Sequence, residues 1–149
     1  MEKQHVYIFD LDGTISNPEH RRHLVRGEHK DWAAFYKESA SDPPVVGIIK
    51  TMQALRSSGA MIIIFSGRSE EVRHDTAAWL SNHGVPYDYL VMRPAGSRTP
   101  DDILKKGWYH GLPDDIRKRV VMVYDDRNKV VAMWRSLGLI CAQVAPGDS

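Results

Sequence analysis

The stretch AMIIIF at residues 60–65 contains no polar side chain. Successive side chains of a strand point to opposite faces, so a strand apolar at every position must be covered on both sides. Four further short runs, at residues 6–9, 89–92, 120–124 and 139–144, read as strands too, the second of these more weakly. Helical patterns separate them. Val45, Ile48, Ile49, Met52 and Leu55 fall on one helical face, and Gly59 stands where such a helix would end. Ser69 is placed to cap a helix running to Asn82, with Gly84 closing it. Val130, Val131, Trp134 and Leu137 form another stripe, ended by Gly138. This alternation predicts an α/β fold: a three-layer, Rossmann-like parallel sheet covered on both faces.

Residues 17–44 break the alternation. They carry HRRHLVRGEHK and then a helical DWAAFYKESA, which is too much chain for a simple loop. The expectation is a small cap inserted after the first strand, with Asp42-Pro43-Pro44 restarting the main fold. The 149 residues otherwise read as a single domain over 1–149.

Bulk properties exclude several classes. The net charge of +1 supports no polycation, so a nucleic-acid partner has to be argued from local patches. Cys141 is the single cysteine, so no internal disulfide forms, and it reads as a buried strand residue. No stretch reaches the roughly 20 apolar residues of a membrane span. The N-terminal MEKQHVYIFDLDGT has no apolar run of signal-peptide length. The expected setting is the cytoplasm, with no membrane partner. No GxxxxGK[ST] occurs, so these residues hold no P-loop kinase.

In open parallel sheets, ligands bind beyond the carboxyl ends of the strands. The residues that follow the strands therefore matter most. After the first come Asp10, Asp12, Gly13 and Thr14; after the second, Ser66, Gly67 and Arg68; after the fourth, Asp125 and Asp126. Four carboxylates in one region repel one another and call for a cation. Magnesium takes oxygen ligands, whereas zinc would want the histidine or cysteine these motifs lack. A carboxylate-and-Mg²⁺ site suits phosphate esters, because a carboxylate can attack phosphorus while the metal neutralises phosphoryl charge.

These segments resemble the motifs of the haloacid dehalogenase superfamily of phosphotransferases. FDLDGT looks like the first motif, IIFSGR the second, Lys105 the third and VYDDR the fourth, all in the family's order. A closer likeness is to the 3′-phosphatase domains of bacteriophage polynucleotide kinase-phosphatases. It rests on SGR, on Asp101-Asp102-Ile103-Leu104-Lys105, and on the closing DDRNKVVAMWRSLGLICAQVAPGDS. The insertion matches poorly outside Arg21.

The resemblance implies that Asp10 attacks phosphorus and that Asp12 serves as acid, then base. Mg²⁺ would be held by the Asp10 carboxylate, the Asp12 backbone carbonyl and Asp125. Asp126 would act through water or orient Lys105. Ser66 and Lys105 would bind the phosphoryl oxygens, and Thr14, Arg21, Arg68 and Asp101 are the candidate substrate contacts. The implied activity is removal of a 3′-terminal phosphate from DNA or RNA, with a separate kinase or ligase as a possible partner. A nucleotidase or small-metabolite phosphatase shares the chemistry, and a non-catalytic binding subunit is the rival of another class.

Blander readings stand beside these. Ser66 can cap a helix, Asp101 can be a helix-terminal acid, and Lys106 competes with Lys105. Arg22 and Arg26 are open between substrate contact and a solvated face. His20 and His23 read as surface residues. Trp32, Phe35 and Tyr36 are expected to pack the insertion, with base stacking as the alternative.

Overall fold

The computed structural model describes residues 4–147. Its elements run β1 (Val6–Phe9), α1 (Trp32–Lys37), α2 (Val46–Ser57), β2 (Met61–Ser69), α3 (Arg73–Asn82), β3 (Tyr89–Arg93), α4 (Asp101–Gly111), α5 (Asp114–Arg117), β4 (Val120–Asp125), α6 (Asn128–Ser136) and β5 (Cys141–Gln143). All strand pairs are parallel, in the order β3-β2-β1-β4-β5. The chain thus winds outward from β1 to β3 and then crosses back to β4. That reversal lies between β1 and β4, where an open α/β sheet offers its ligand crevice.

Strand alternation builds two cores. Phe9, Ile62 and Ile64 face one way and meet Ile49 and Met52 of α2 and Trp79 and Leu80 of α3. Val6, Ile8, Ile63 and Phe65 face the other way, onto Val130, Val131 and Trp134 of α6, with Trp108 of α4 packed alongside. The three-layer Rossmann-like α/β fold expected from the sequence is the one observed. Cys141 is buried in the second core.

Several boundaries differ from the sequence reading, and β5 is shorter than expected, at Cys141–Gln143. β2 continues past Phe65 to Ser69, because its pairing with β3 slips between Ser66 and Ser69. The expected helix from Ser69 begins instead as a 3-10 turn over Glu70–Val72, and Ser69 Oγ accepts from the Glu71 amide at 3.2 Å.

Between β1 and α2 the chain leaves and returns along neighbouring backbones. The Asn17 amide donates to the Pro43 carbonyl (2.9 Å) and the Val45 amide to the Ile15 carbonyl (2.8 Å). The excursion carries a 3-10 helix (Glu19–Val25), α1 capped by Asp31, and a second 3-10 turn (Glu38–Ser41). Among the described residues no helix is long and apolar enough to cross a membrane.

Candidate active site

Parallel register carries the acids together. Phe9 pairs with Tyr124, so Asp10 and Asp125 emerge side by side from β1 and β4. Asp10, Asp125 and Asp126 are all buried, and one oxygen from each lies within 4.8 Å of the others. The loop after Asp10 folds back onto Asp126. A Cβ at Gly13 would stand 2.1 Å from Asp126 Oδ2, and its φ is +87°. Only glycine satisfies both conditions without strain.

One ammonium faces these carboxylates. Lys105, buried in α4, donates to Asp10 Oδ1 at 2.6 Å and to Asp125 Oδ2 at 3.0 Å. Burial raises the Asp10 pKa, and the neighbouring Asp125 charge raises it further against the pull of Lys105. Asp126 is also raised, first by burial. Burial would lower Lys105, yet the charges of Asp10 and Asp125 outweigh it and hold the ammonium protonated. Three buried carboxylates against one ammonium leave a deficit of positive charge that a divalent cation would fill. The donors are hard oxygens, which fit Mg²⁺ and do not call for zinc.

Asp12 sits on the opposite side, gripped by two arginines. Arg68 donates to it through Nε (3.1 Å to Oδ1) and Nη2 (2.8 Å), and Arg21 through Nη2 (2.5 Å). Both guanidiniums are fully buried, while Asp12 keeps 24% of its side chain exposed. Burial alone would raise the Asp12 pKa. Arg68 and then Arg21 overcome that and hold the carboxyl well below the usual carboxylate range. Asp42 meets the same arginines from behind: Arg21 Nε and Nη2 at 2.8 and 2.7 Å, and Arg68 Nη2 at 3.3 Å.

The pairing of β2 with β3 slips after Ser66, and Arg68 inside that stretch reaches Asp12. Ser66 Oγ accepts from the Arg68 amide at 3.1 Å. Asp101, at the start of α4, joins Arg93 and Arg127; the Arg127 contact is 2.7 Å. A Cβ at Gly67 would come 2.6 Å from Asp101 Oδ1, so the second motif and α4 meet without room for a side chain. Burial raises the Tyr36 phenol against the pull of the Arg93 charge.

Asp10, Asp12, Ser66, Arg68, Lys105, Asp125, Asp126, Thr14, Arg21 and Asp101 are thus gathered at one end of the sheet. Some expectations change. Thr14 is fully buried, with its hydroxyl 3.2 Å from Asp10 Oδ2 and 3.4 Å from Asp126 Oδ1. Its hydroxyl thus braces two carboxylates of the cluster. Arg21 likewise commits four of its N–H groups, to Asp42 twice, Asp12 and the Phe35 carbonyl. The acid beside Lys105 is Asp125 rather than Asp126. Lys106 is exposed, whereas Lys105 is buried against Asp10 and Asp125.

His20 is exposed, as expected, and its Nε2 lies 2.7 Å from Asp42. Trp32, Phe35 and Tyr36 pack on one another, and Arg21 lies 4.3 Å over the Phe35 ring. Sequence reasoning missed Asp42, Arg93 and Arg127. The signal for Asp42 was an acid directly before Pro43-Pro44, at the return of the insertion. Arg93 and Arg127 each directly follow a strand or its acids and carried the same clue as Arg68.

Comparison with known proteins agrees with this geometry. The family model for the polynucleotide kinase PNKP phosphatase domain matches residues 4–149. A putative bifunctional polynucleotide kinase/RNA ligase of Autographa californica nuclear polyhedrosis virus is 31% identical over 134 residues, which is 87% of this chain and 18% of the viral protein. A chain in the structure of a Pnkp1/Rnl/Hen1 complex superposes with a TM-score of 0.81 at 30% identity, covering 99% of this chain and 48% of that one. The class C acid phosphatase of Bacillus anthracis shares the fold, with a TM-score of 0.64 at 17% identity over 87% of this chain and 54% of its own. The chain therefore spans less than half the length of the first two relatives.

Proposed function

The chain belongs to the phosphatase-domain family of polynucleotide kinase PNKP, whose members act on phosphate monoesters, and on that premise we propose that it removes a 3′-terminal phosphate from a nucleic-acid end through an aspartyl-phosphate at Asp10. The observation that carries the chemistry is the buried Asp10 carboxylate, set between Lys105 and the acids of β4 at the sheet's reversal point.

An Asp10 oxygen attacks phosphorus and forms an acyl phosphate, and the bond from phosphorus to the ester oxygen breaks. Asp12 gives that leaving oxygen its proton. Water then attacks the acyl phosphate, Asp12 takes the proton from it, and inorganic phosphate leaves with the Asp10 carboxylate restored. Lys105 and Ser66 are the groups for the phosphoryl oxygens. Asp10, the Asp12 backbone carbonyl and Asp125 would hold Mg²⁺, with Asp126 acting through water. Bound there, the ion neutralises charge on the phosphoryl group.

The guanidiniums favour ionised Asp12, the form that takes a proton from water. The first step needs the protonated form, so Asp12 must take up a proton against the pull of both guanidiniums before the ester bond breaks.

The substrate reading rests on the sequence resemblance and on the names of the relatives. A kinase/RNA ligase and a Pnkp1/Rnl/Hen1 RNA repair complex favour an RNA end over a DNA end, and a separate kinase or ligase as partner. A nucleotidase is the second reading, because Arg21 is buried against carboxylates and is not displayed toward a neighbouring phosphodiester. The rival of a non-catalytic subunit falls with the family assignment. The test is kcat/KM on a 3′-phosphorylated oligonucleotide, its 5′-phosphorylated isomer and the matching mononucleotides. Preference for the mononucleotides overturns the polynucleotide reading and leaves the Asp10 chemistry standing.

A further inference from the structure

Asp42 is fully buried, lies outside every motif of the reaction, and yet touches both arginines that hold Asp12. Four charged groups alternate in a closed ring. Arg21 Nη2 lies 2.5 Å from Asp12 Oδ1 and 2.7 Å from Asp42 Oδ2. Arg68 Nη2 lies 2.8 and 3.3 Å from the same two oxygens.

The two arginines are not held alike. Arg68 turns its fork onto Asp12, through Nε and Nη2. Arg21 turns its fork onto Asp42, through Nε at 2.8 Å and Nη2 at 2.7 Å, and reaches Asp12 with a single contact. Paired hydrogen bonds between a guanidinium and a carboxylate fix direction as well as distance. Asp42 is therefore the anchor of Arg21, and Arg21 can stay in place when Asp12 moves.

Asp42 is itself pinned from both sides of the molecule. Its carbonyl accepts from Trp79 Nε1 of α3 at 2.9 Å, its amide donates to the Ser39 carbonyl of the insertion, and His20 of the insertion meets Oδ1 at 2.7 Å.

From this ring we propose that Asp42 is a positioning residue for the proton-transfer step: its carboxylate holds Arg21 by a paired contact and Arg68 by a single longer one, so that Asp12 stays aimed at the leaving oxygen. Asp42 touches neither the acid cluster nor any substrate position, and its effect runs only through the arginines. Without its charge, two buried guanidiniums converge on Asp12 alone. Their mutual repulsion, and a tighter hold on the one remaining carboxylate, then displace the acid. The proposal rests on Asp12 as the general acid, so the Asp12→Asn variant is the internal reference.

The experiment compares Asp42→Asn with wild type on two small esters, an activated aryl phosphate and a simple alkyl phosphate. The expected result is a loss in kcat at least about tenfold larger on the alkyl ester, where the leaving oxygen needs a proton. Asp12→Asn should show the same pattern. Trp79→Phe removes the bond to the Asp42 carbonyl and leaves the carboxylate in place. It should lower Tm and reduce both esters by one common factor.

Equal losses on the two esters in Asp42→Asn, with Asp12→Asn discriminating between them, overturn the positioning role alone. Equal losses in Asp12→Asn as well overturn the acid assignment and this proposal together. If Asp42→Asn does not fold, Asp42→Asn with Arg21→Gln removes one charge of each sign and is compared with Arg21→Gln alone. The two should nearly match on both esters, because the paired contact of Asp42 is with Arg21 and only a single longer one reaches Arg68. A further multiplicative loss contradicts the proposal.

Discussion

The Lys105 ammonium lies 2.6 Å from Asp10 Oδ1 and is buried with it, so it supplies the positive charge that keeps the proposed nucleophile in place. Replacing it by methionine keeps the bulk of the side chain and leaves three buried carboxylates uncompensated. Breaking such a pair costs about 3–5 kcal/mol. Lys105→Met should therefore lower Tm markedly in EDTA and recover part of the loss in Mg²⁺, while turnover stays near zero in both. An unchanged Tm in EDTA would show that Lys105 does not compensate the cluster.

The same deficit of charge predicts metal dependence. Chelation should abolish hydrolysis, and Mg²⁺ should restore it. Ca²⁺ should raise Tm by binding the acids, yet support little turnover, because it takes more ligands at longer distances than the octahedral Mg²⁺. Thermal melts and initial rates on one metal-stripped stock check both halves. Full activity without metal would remove Mg²⁺ from the account.

Much of this was legible in the sequence, because strand ends in a parallel sheet reveal themselves. An apolar run that stops at a polar residue marks both the strand and its functional edge, and Asp10, Ser66, Arg68 and Asp125 follow directly. Lys105 was legible through the family resemblance of Asp101-Asp102-Ile103-Leu104-Lys105, not through any pattern of its own. Apart from Arg21, which the resemblance pointed to, residues that act from inside the insertion were not. Pro43-Pro44 marks the return of the insertion, but Asp42 belongs to no periodic pattern, and only the fold shows that its carboxylate meets Arg21 and Arg68. Spacing puts Thr14 at the strand end, while only the fold shows that its hydroxyl meets Asp10 and Asp126.

Asp12→Asn tests proton transfer. The change keeps the shape of the side chain and removes its capacity to carry a proton. General acid–base catalysis contributes about 10²–10⁴-fold, so a natural alcohol ester should suffer by roughly that factor. An aryl phosphate with a good leaving group should lose much less in the formation of the acyl phosphate. A series of leaving groups of graded pKa reads this directly, and equal losses across the series count against Asp12 as the acid.

Ionic strength separates the candidate substrates. An oligonucleotide neutralises several cationic groups on binding and releases counterions, so its KM should climb steeply with salt. A mononucleotide engages fewer charges and should respond less. Contacts to phosphates carry no base information, so turnover should be nearly independent of sequence. KM measured for both across a salt series, with two unrelated oligonucleotide sequences, decides the matter. Equal slopes would favour the nucleotidase.

The most direct test of the account is to catch the phosphoryl group on the protein. Enzyme mixed with a phosphate ester and quenched in acid during turnover should gain the mass of one phosphoryl group, in the peptide that contains Asp10. Asp10→Asn should lose both that mass and nearly all turnover, since uncatalysed monoester hydrolysis is slow enough for enzymes to supply up to about 10²¹-fold acceleration. A folded Asp10→Asn enzyme that still turns over, or a phosphoryl group found on any other residue, would contradict the assignment of Asp10 as nucleophile.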